Sequence, residues 1–218
     1  NVPMYTKTVT GPSLADGIVN EIRNDPNVKL LLMNWLENRP GKDPINRIAQ
    51  RVITEGKTSL GVFKDKGLKK FEHILVPVGG GLNSRLAVHL ANDIAMREGS
   101  HVTYIRVIPE EIDEETNEDM ISYLQEILLT TLGEIPANVS LSIRYSLSIA
   151  DAILEECNSN EYDLVMLGTP SEPTDGSFFG KICDRVVDES PYSVLVVQRY
   201  QSAPATWLRH QAKRFERE

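Results

Sequence analysis

Cysteine is scarce: Cys157 and Cys183 are the only two in 218 residues. Two thiols cannot form a disulfide framework for a chain of this size, so reduced thiols are expected. No apolar run approaches the roughly 18 residues of a membrane span. The opening Asn1-Val2-Pro3-Met4 lacks the layout of a signal peptide. It also lacks an initiator Met, so the chain is expected to start inside a longer product. His73, His89, His101 and His210 fall at no metal-ligand spacing, and no metal is expected. No nucleophile-elbow motif occurs, and no enzymatic activity is expected. Basic residues are outnumbered, 23 against 31 acidic, for a net charge of −8. That balance disfavours nucleic acid as a partner.

What is present is a core and a repeat. Hydrophobic residues make up 41% and charged residues 25%, which separates the chain from disordered sequences. Ser13–Ile22 (SLADGIVNEI) matches Ser148–Cys157 (SIADAILEEC) at an offset of 135, with five of ten positions identical. At an offset of 134, Leu30–Met33 falls on Leu164–Leu167, Arg51-Val52-Ile53 on Arg185-Val186-Val187, and Ser59–Phe63 on Ser193–Val197. Two colinear stretches whose offset changes by one residue define an internal repeat. Residues 1–66 then correspond to the second half of a unit. The half lacks the strand that should sit mid-sheet, which lies upstream or is supplied by another chain.

The second copy predicts alternating strands and helices. His73–Val78 is a buried strand bounded by Gly79-Gly80-Gly81. A helix follows to Glu98, capped by Asn83 or Ser84, with Leu86, Ala87, Leu90, Ala91 and Ile94 on one face. Val102–Val107 is the next strand and Pro109 ends it. A helix over 115–132 buries Ile121, Leu124, Ile127, Leu128 and Leu132. Its acidic start, Glu110–Asp119, is read as a solvated face at the positive end of the helix. Val139–Tyr145, Leu164–Leu167 and Tyr192–Val197 are strands, separated by helices Ser148–Cys157 and Phe179–Glu189. The first segment adds strand Tyr5–Val9, helix Ser13–Asn24, strand Val28–Met33, helix Pro44–Thr54 and strand Ser59–Phe63. Lys64–Phe71 is a solvated connector. Strands alternating with helices imply right-handed crossovers and a parallel sheet covered on both faces. Cys157 and Cys183 fall in helices and are expected to be buried.

Ile74–Val78 with its glycine turn and Ser84–Ala91, Tyr162–Gly168, and Gly180–Val187 followed by Ser190–Val197 together resemble the universal stress protein family. The resemblance covers residues 4–66 as a half unit and 71–199 as a whole one. It implies a five-stranded parallel sheet of order 3-2-1-4-5, of the adenine-nucleotide alpha-hydrolase-like type, in tandem with a partial copy. The implied layout is 1–66, 67–200 and a basic amphipathic tail over 201–218. The tail is read as a frayed terminus, with a membrane-surface or partner helix as the alternative.

More narrowly, Gly79–Ala87 and the Lys64–Phe71 connector resemble tandem units fused behind prokaryotic transporters such as amino-acid permeases and cation–chloride cotransporter relatives. That implies a regulatory and dimerisation module on the cytoplasmic side of the cell membrane, with the membrane domain of the same polypeptide as partner. The alternative is a free tandem protein that binds ATP, AMP or cyclic di-AMP. Self-association is expected through Tyr192–Val197, either between the two copies as a pseudo-dimer or between chains.

In ATP-binding members of the family an acid follows strand one, and a Gly-x-x-Gly loop leads to Gly-Ser/Thr at the last helix. Backbone N–H groups there hold phosphate. The matching positions here are Val78, Gly79, Gly80, Val107, Gly168, Thr169, Gly180 and Lys181. Gly79 replaces the acid, Ser171 the second glycine and Lys181 the Ser/Thr. Prolines in Thr169–Gly176 remove donors. Copy one carries Asn34 and Asn46 at its two glycine positions. The expected reading is a degenerate site in which these glycines make turns and no cofactor binds, adenine nucleotide being the alternative. Trp35 follows a strand end where the family has Gly, and a packing role is expected.

Overall fold

The computed structural model describes residues 4–35, 45–108, 114–170 and 178–202. Pro44, Pro109, Ser171–Gly176, His210 and the tail over 206–218 lie outside the described residues. The chain divides into two compact units. The smaller holds residues 1–31, 36–60 and 200–218, and the larger 32–35 and 61–199.

In the larger unit, short apolar runs become strands because each is long enough to cross a sheet and is bounded by turn residues. These are β3 (His73–Pro77), β4 (His101–Ile108), β5 (Val139–Tyr145), β6 (Leu164–Gly168) and β7 (Ser193–Gln198). Helices alternate with them: α3 (Leu82–Glu98), α4 (Glu114–Leu132), α5 (Ile149–Ser159) and α6 (Lys181–Glu189). The β3–β4, β3–β6, β4–β5 and β6–β7 ladders are parallel, with Ile74 opposite both Val102 and Leu164, and Leu164 opposite Ser193. The order β7-β6-β3-β4-β5 is the expected 3-2-1-4-5. The sheet has seven strands rather than five, because β1 (Leu30–Asn34) and β2 (Ser59–Lys64) continue it beyond β7 in the order β1-β2-β7.

Alternation along the strands supplies a core on each face. Ile74, Val76, Val102, Tyr104, Leu164 and Met166 pack against Ala87, Ala91 and Ala95 of α3 and Leu124 and Leu128 of α4. The alanines recur every fourth residue, so α3 presents a stripe without bulk and lies close on the strands. Among the described residues no helix is long and apolar enough to cross a membrane.

In the smaller unit, α1 (Leu14–Asn24) buries Ala15, Val19 and Ile22. The expected helix over 44–54 is α2 (Ile45–Arg51) continued by a π-turn over Val52–Gly56. Residues 5–9, expected as a strand, form none. Their counterpart by offset, β5, exists through its ladder to β4, and no strand of the described residues pairs with 5–9. A strand without a neighbour leaves its backbone groups unpaired and does not persist. The Asn83/Ser84 cap is also corrected. Gly81 is the N-cap of α3, and both side chains point inward.

The repeat extends to side-chain geometry. Ser13 caps α1 by accepting from Asp16 N at 3.2 Å, and Ser148 caps α5 by accepting from Asp151 N at 3.2 Å. Arg51 bridges Asp16 at 2.9 Å and Glu55 at 2.6 Å. Arg185 bridges Asp151 at 2.6 Å and Glu189 at 2.9 Å. The offset that carries Ser59 onto Ser193 also carries Lys66 onto Tyr200. Correspondingly, Ser59 Oγ accepts from Tyr200 N at 3.2 Å and Ser193 Oγ from Lys66 N at 2.9 Å. Those pairs run in opposite senses, so β2 and β7 are antiparallel. The connector after β2 is exposed only in part: Lys64, Leu68 and Phe71 are half-buried, Phe71 packs against the core, and the Lys66 backbone is tied to β7.

Hydrogen bonds from Ser13 and then Arg51 hold the Asp16 carboxyl below its usual range. Arg185 and then Ser148 do the same for Asp151. A folded-state pKa below the unfolded value of about 3.9 contributes stability that is present above that pH and lost as pH falls through the depressed value. The melting temperature is therefore expected to fall below about pH 4. In an Asp16→Asn/Asp151→Asn double variant, thermal melts from pH 7 to pH 2 should show a lower plateau and a shallower acid limb.

Candidate functional site

The strand order reverses at β3, which has β4 on one side and β6 on the other. In open parallel sheets this switch point opens a crevice beyond the carboxyl ends of the strands. A cleft of about 740 Å³ lies there. Seven of the eight expected positions line it: Val78, Gly79, Val107, Gly168, Thr169, Gly180 and Lys181. Gly80 does not. It turns with φ +83 toward α4, where an added Cβ would lie 3.2 Å from Tyr123 Oη.

Gly168 is present for the backbone of α3. A Cβ there would stand 2.3 Å from Ser84 N and 2.4 Å from the Asn83 carbonyl carbon. Only glycine lets the end of β6 come this close to the first turn of the helix. Asn83 closes the contact. Its buried amide donates to Thr169 O at 3.1 Å and Thr169 Oγ1 at 2.9 Å, and its Oδ1 accepts from Arg199 N at 2.9 Å. The Thr169 hydroxyl is thus engaged in packing. Ser84 Oγ accepts the Gly79 N–H at 3.1 Å, so that turn donor is also used internally.

At the other wall, Gly180 has φ +84 and is the N-cap of α6. A Cβ built on it would lie 2.6 Å from Pro170 Cγ. The proline ring therefore packs against Gly180 beside the start of α6. Phe179, fully buried, is held by Trp35 with ring centroids 5.2 Å apart. This is the packing role expected of Trp35. Cys183 also lines the cleft, and burial pushes its thiol up to about 12, so it stays protonated and non-nucleophilic. The rest of the lining is largely aliphatic, with Ile105, Ile149, Ile153 and Ile182 among it.

Arg106 is the lining residue that sequence reading missed. Its guanidinium lies 4.6 Å from the Tyr123 ring centroid. Its Nη1 donates to Val78 O at 3.4 Å, and its Nε is buried without a hydrogen-bond partner. Strand periodicity places Arg106 on the face opposite Ile105 and Val107. Only the end-on geometry of the cleft brings all three to its rim. Among the described residues no group of His, Cys, Asp and Glu could hold a metal.

A doubly wound parallel sheet with its cleft at the switch point defines the class of fold. Residues 70–198 match the universal stress protein family, and the chain belongs to that family. A universal stress protein of Archaeoglobus fulgidus DSM 4304 is similar in fold, at 18% identity and a TM-score of 0.57. The match covers 85% of this chain and 66% of that one. A putative universal stress protein of Pseudomonas aeruginosa UCBPP-PA14 aligns at 16% identity and a TM-score of 0.56, covering 85% and 68%. No curated protein matches.

Two substitutions separate packing from ligand binding. Gly168→Ala is expected to destabilise the fold by about 3 kcal/mol or more, because its Cβ meets backbone rather than a mobile side chain. Asn83→Ala should cost about 2–3 kcal/mol through the orphaned Thr169 and Arg199 groups. Urea unfolding of both variants without any ligand measures these values.

Proposed function

We propose that this chain is a non-enzymatic regulatory module whose nucleotide site is degenerate, and that it acts through packing surfaces rather than chemistry. The Pro170 ring against Gly180 supports this reading, because it packs beside the N-terminus of α6, within 2.6 Å of where a Gly180 Cβ would stand. Loss of the loop glycine at Ser171 and the replacement of Ser/Thr by Lys181 agree with it. A helix start binds phosphate only if its N–H groups can be reached. We further propose that the chain holds one complete unit and the second half of another, supported by the repeated cap and ion-pair geometry. Self-association through Tyr192–Val197 is internal in this reading, with Ser59–Lys64 as its partner strand. A monomer in solution is expected.

The module is proposed to serve a membrane transporter from the cytoplasmic face of the cell membrane, with the membrane domain of the same polypeptide as partner. The Gly79–Ala87 turn and the connector support this. The complete gene product should then encode apolar spans of roughly 18 residues or more, and a product without them overturns the transporter assignment.

Arg106 favours a second reading. Its side chain lines a cleft whose size suits a small ligand, and its buried Nε has no hydrogen-bond partner. An adenine nucleotide could then bind by its base with little help from a phosphate loop. Calorimetric titration with ATP, AMP and cyclic di-AMP separates the two. The degenerate-site reading expects no heat from any of them, while Pro170→Gly should expose the helix start and create weak ATP binding. Saturable heat from the unaltered chain that is lost in Arg106→Ala would establish the second reading instead.

A further inference from the structure

Leu30–Met33 and Leu164–Leu167 are nearly the same sequence, LLLM and LVML, in opposite circumstances. Leu164, Val165, Met166 and Leu167 are all buried. In β1 none of the four is buried, and Leu32, the counterpart of Met166, is 60% exposed. The difference lies in what flanks each strand. β6 has β7 on one side and β3 on the other, with Ile74 opposite Leu164 and Leu75 opposite Val165. Among the described residues β1 has β2 on one side and is the end of the sheet on the other. Met166 also lies in the core cluster with Ala87 and Ala91 of α3, whereas Leu32 rests against the glycine at position 61 and faces outward. Residues 4–9, placed on β5 by the offset of 135, likewise have no ladder. Met4 is 93% and Tyr5 88% exposed.

We propose that the outer edge of β1 is a docking surface for a β-α-β-α half-domain of the kind residues 72–138 form in this chain. Its first strand would run parallel to β1, opposite Leu30 and Leu31 as Ile74 and Leu75 stand opposite Leu164 and Val165. Its first helix would cover Leu32 with a stripe of small residues like Ala87-Ala91-Ala95. An apolar strand at a sheet edge presents unpaired N–H and C=O groups beside unburied side chains, and that combination recruits another strand. The surface continues the sheet in the chain's own geometry, since the equivalent edge of β6 is already filled this way. The inference rests on the repeat proposed above and is independent of the cleft, so the nucleotide titrations leave it untouched.

The test duplicates residues 71–138 ahead of Met4, joining the second Asn138 to Met4 as the offset of 135 prescribes. Amide hydrogen exchange is compared with the unmodified chain. Exchange at residues 30–34 is expected to slow roughly tenfold or more, with new protection at 5–9. Introducing Leu32→Lys into the extended chain should remove that gain. Unchanged exchange at 30–34 in an extended chain that folds overturns the proposal. Leu32→Lys in the unmodified chain is a check that needs no fusion. It should raise solubility and leave the melting temperature unchanged, and a lowered melting temperature would show that Leu32 is already covered. Sedimentation of the unmodified chain as a dimer with residues 30–34 protected would assign the edge to a second copy instead, and also overturns it.

Discussion

The close approach between the end of β6 and the first turn of α3 organises the larger unit. With no side chain at Gly168, the backbone of Asn83 and Ser84 sits where a Cβ would be. That brings Asn83 within reach of Thr169 and of Arg199, so one amide joins the start of α3, the exit of β6 and the exit of β7. The small-residue face of α3 then lies flat on the sheet, and the walls of the cleft follow from its position. A buried amide with its donors and acceptor paired stabilises and also specifies, because no shifted register satisfies the same groups.

This constraint changes the meaning of the glycine-bearing loops. Gly168, Thr169 and Gly79 have the residue types of a phosphate cradle, yet each is committed to the protein itself. Gly168 admits a helix, Thr169 answers Asn83, and the Gly79 N–H meets Ser84. Pro170 over Gly180 completes the change. At the rim of the cleft the Gly79 N–H is taken by Ser84 and the Thr169 N–H by the Val197 carbonyl. Arg106, paired with the Tyr123 ring and the Val78 carbonyl, is the cleft's departure from that pattern.

Around this centre, the two halves of the repeat use one local solution twice. A serine cap, an aspartate in the first turn and an arginine that also reaches a glutamate four residues on recur 134 or 135 residues apart with bond lengths within about 0.3 Å. Exposed pairs of this kind add little to stability one by one. Their recurrence matters more as geometry, because each arginine links two helices. The contrast between β1 and β6 is instructive for the same reason, since equal sequences have unequal burial when one has a neighbouring strand and the other does not.

Much of the architecture was legible in the residues. Apolar runs of four to seven with turn signals located β3 to β7, the i, i+3, i+4 pattern of Leu124, Ile127 and Leu128 located the buried face of α4, and the glycines located the cleft. Three readings were overturned by context. Residues 5–9 have the composition of a strand but no partner, and strand formation requires two segments. Asn83 and Ser84 have the chemistry of a cap, but the sheet end beside them offered better partners. The strand number rose from five to seven because local pattern cannot say which strands share an edge. Periodicity and composition thus determined the elements, their order and the repeat. Tertiary structure alone decided whether each glycine and polar group serves a ligand or the fold, because that depends on distances between segments far apart in the chain.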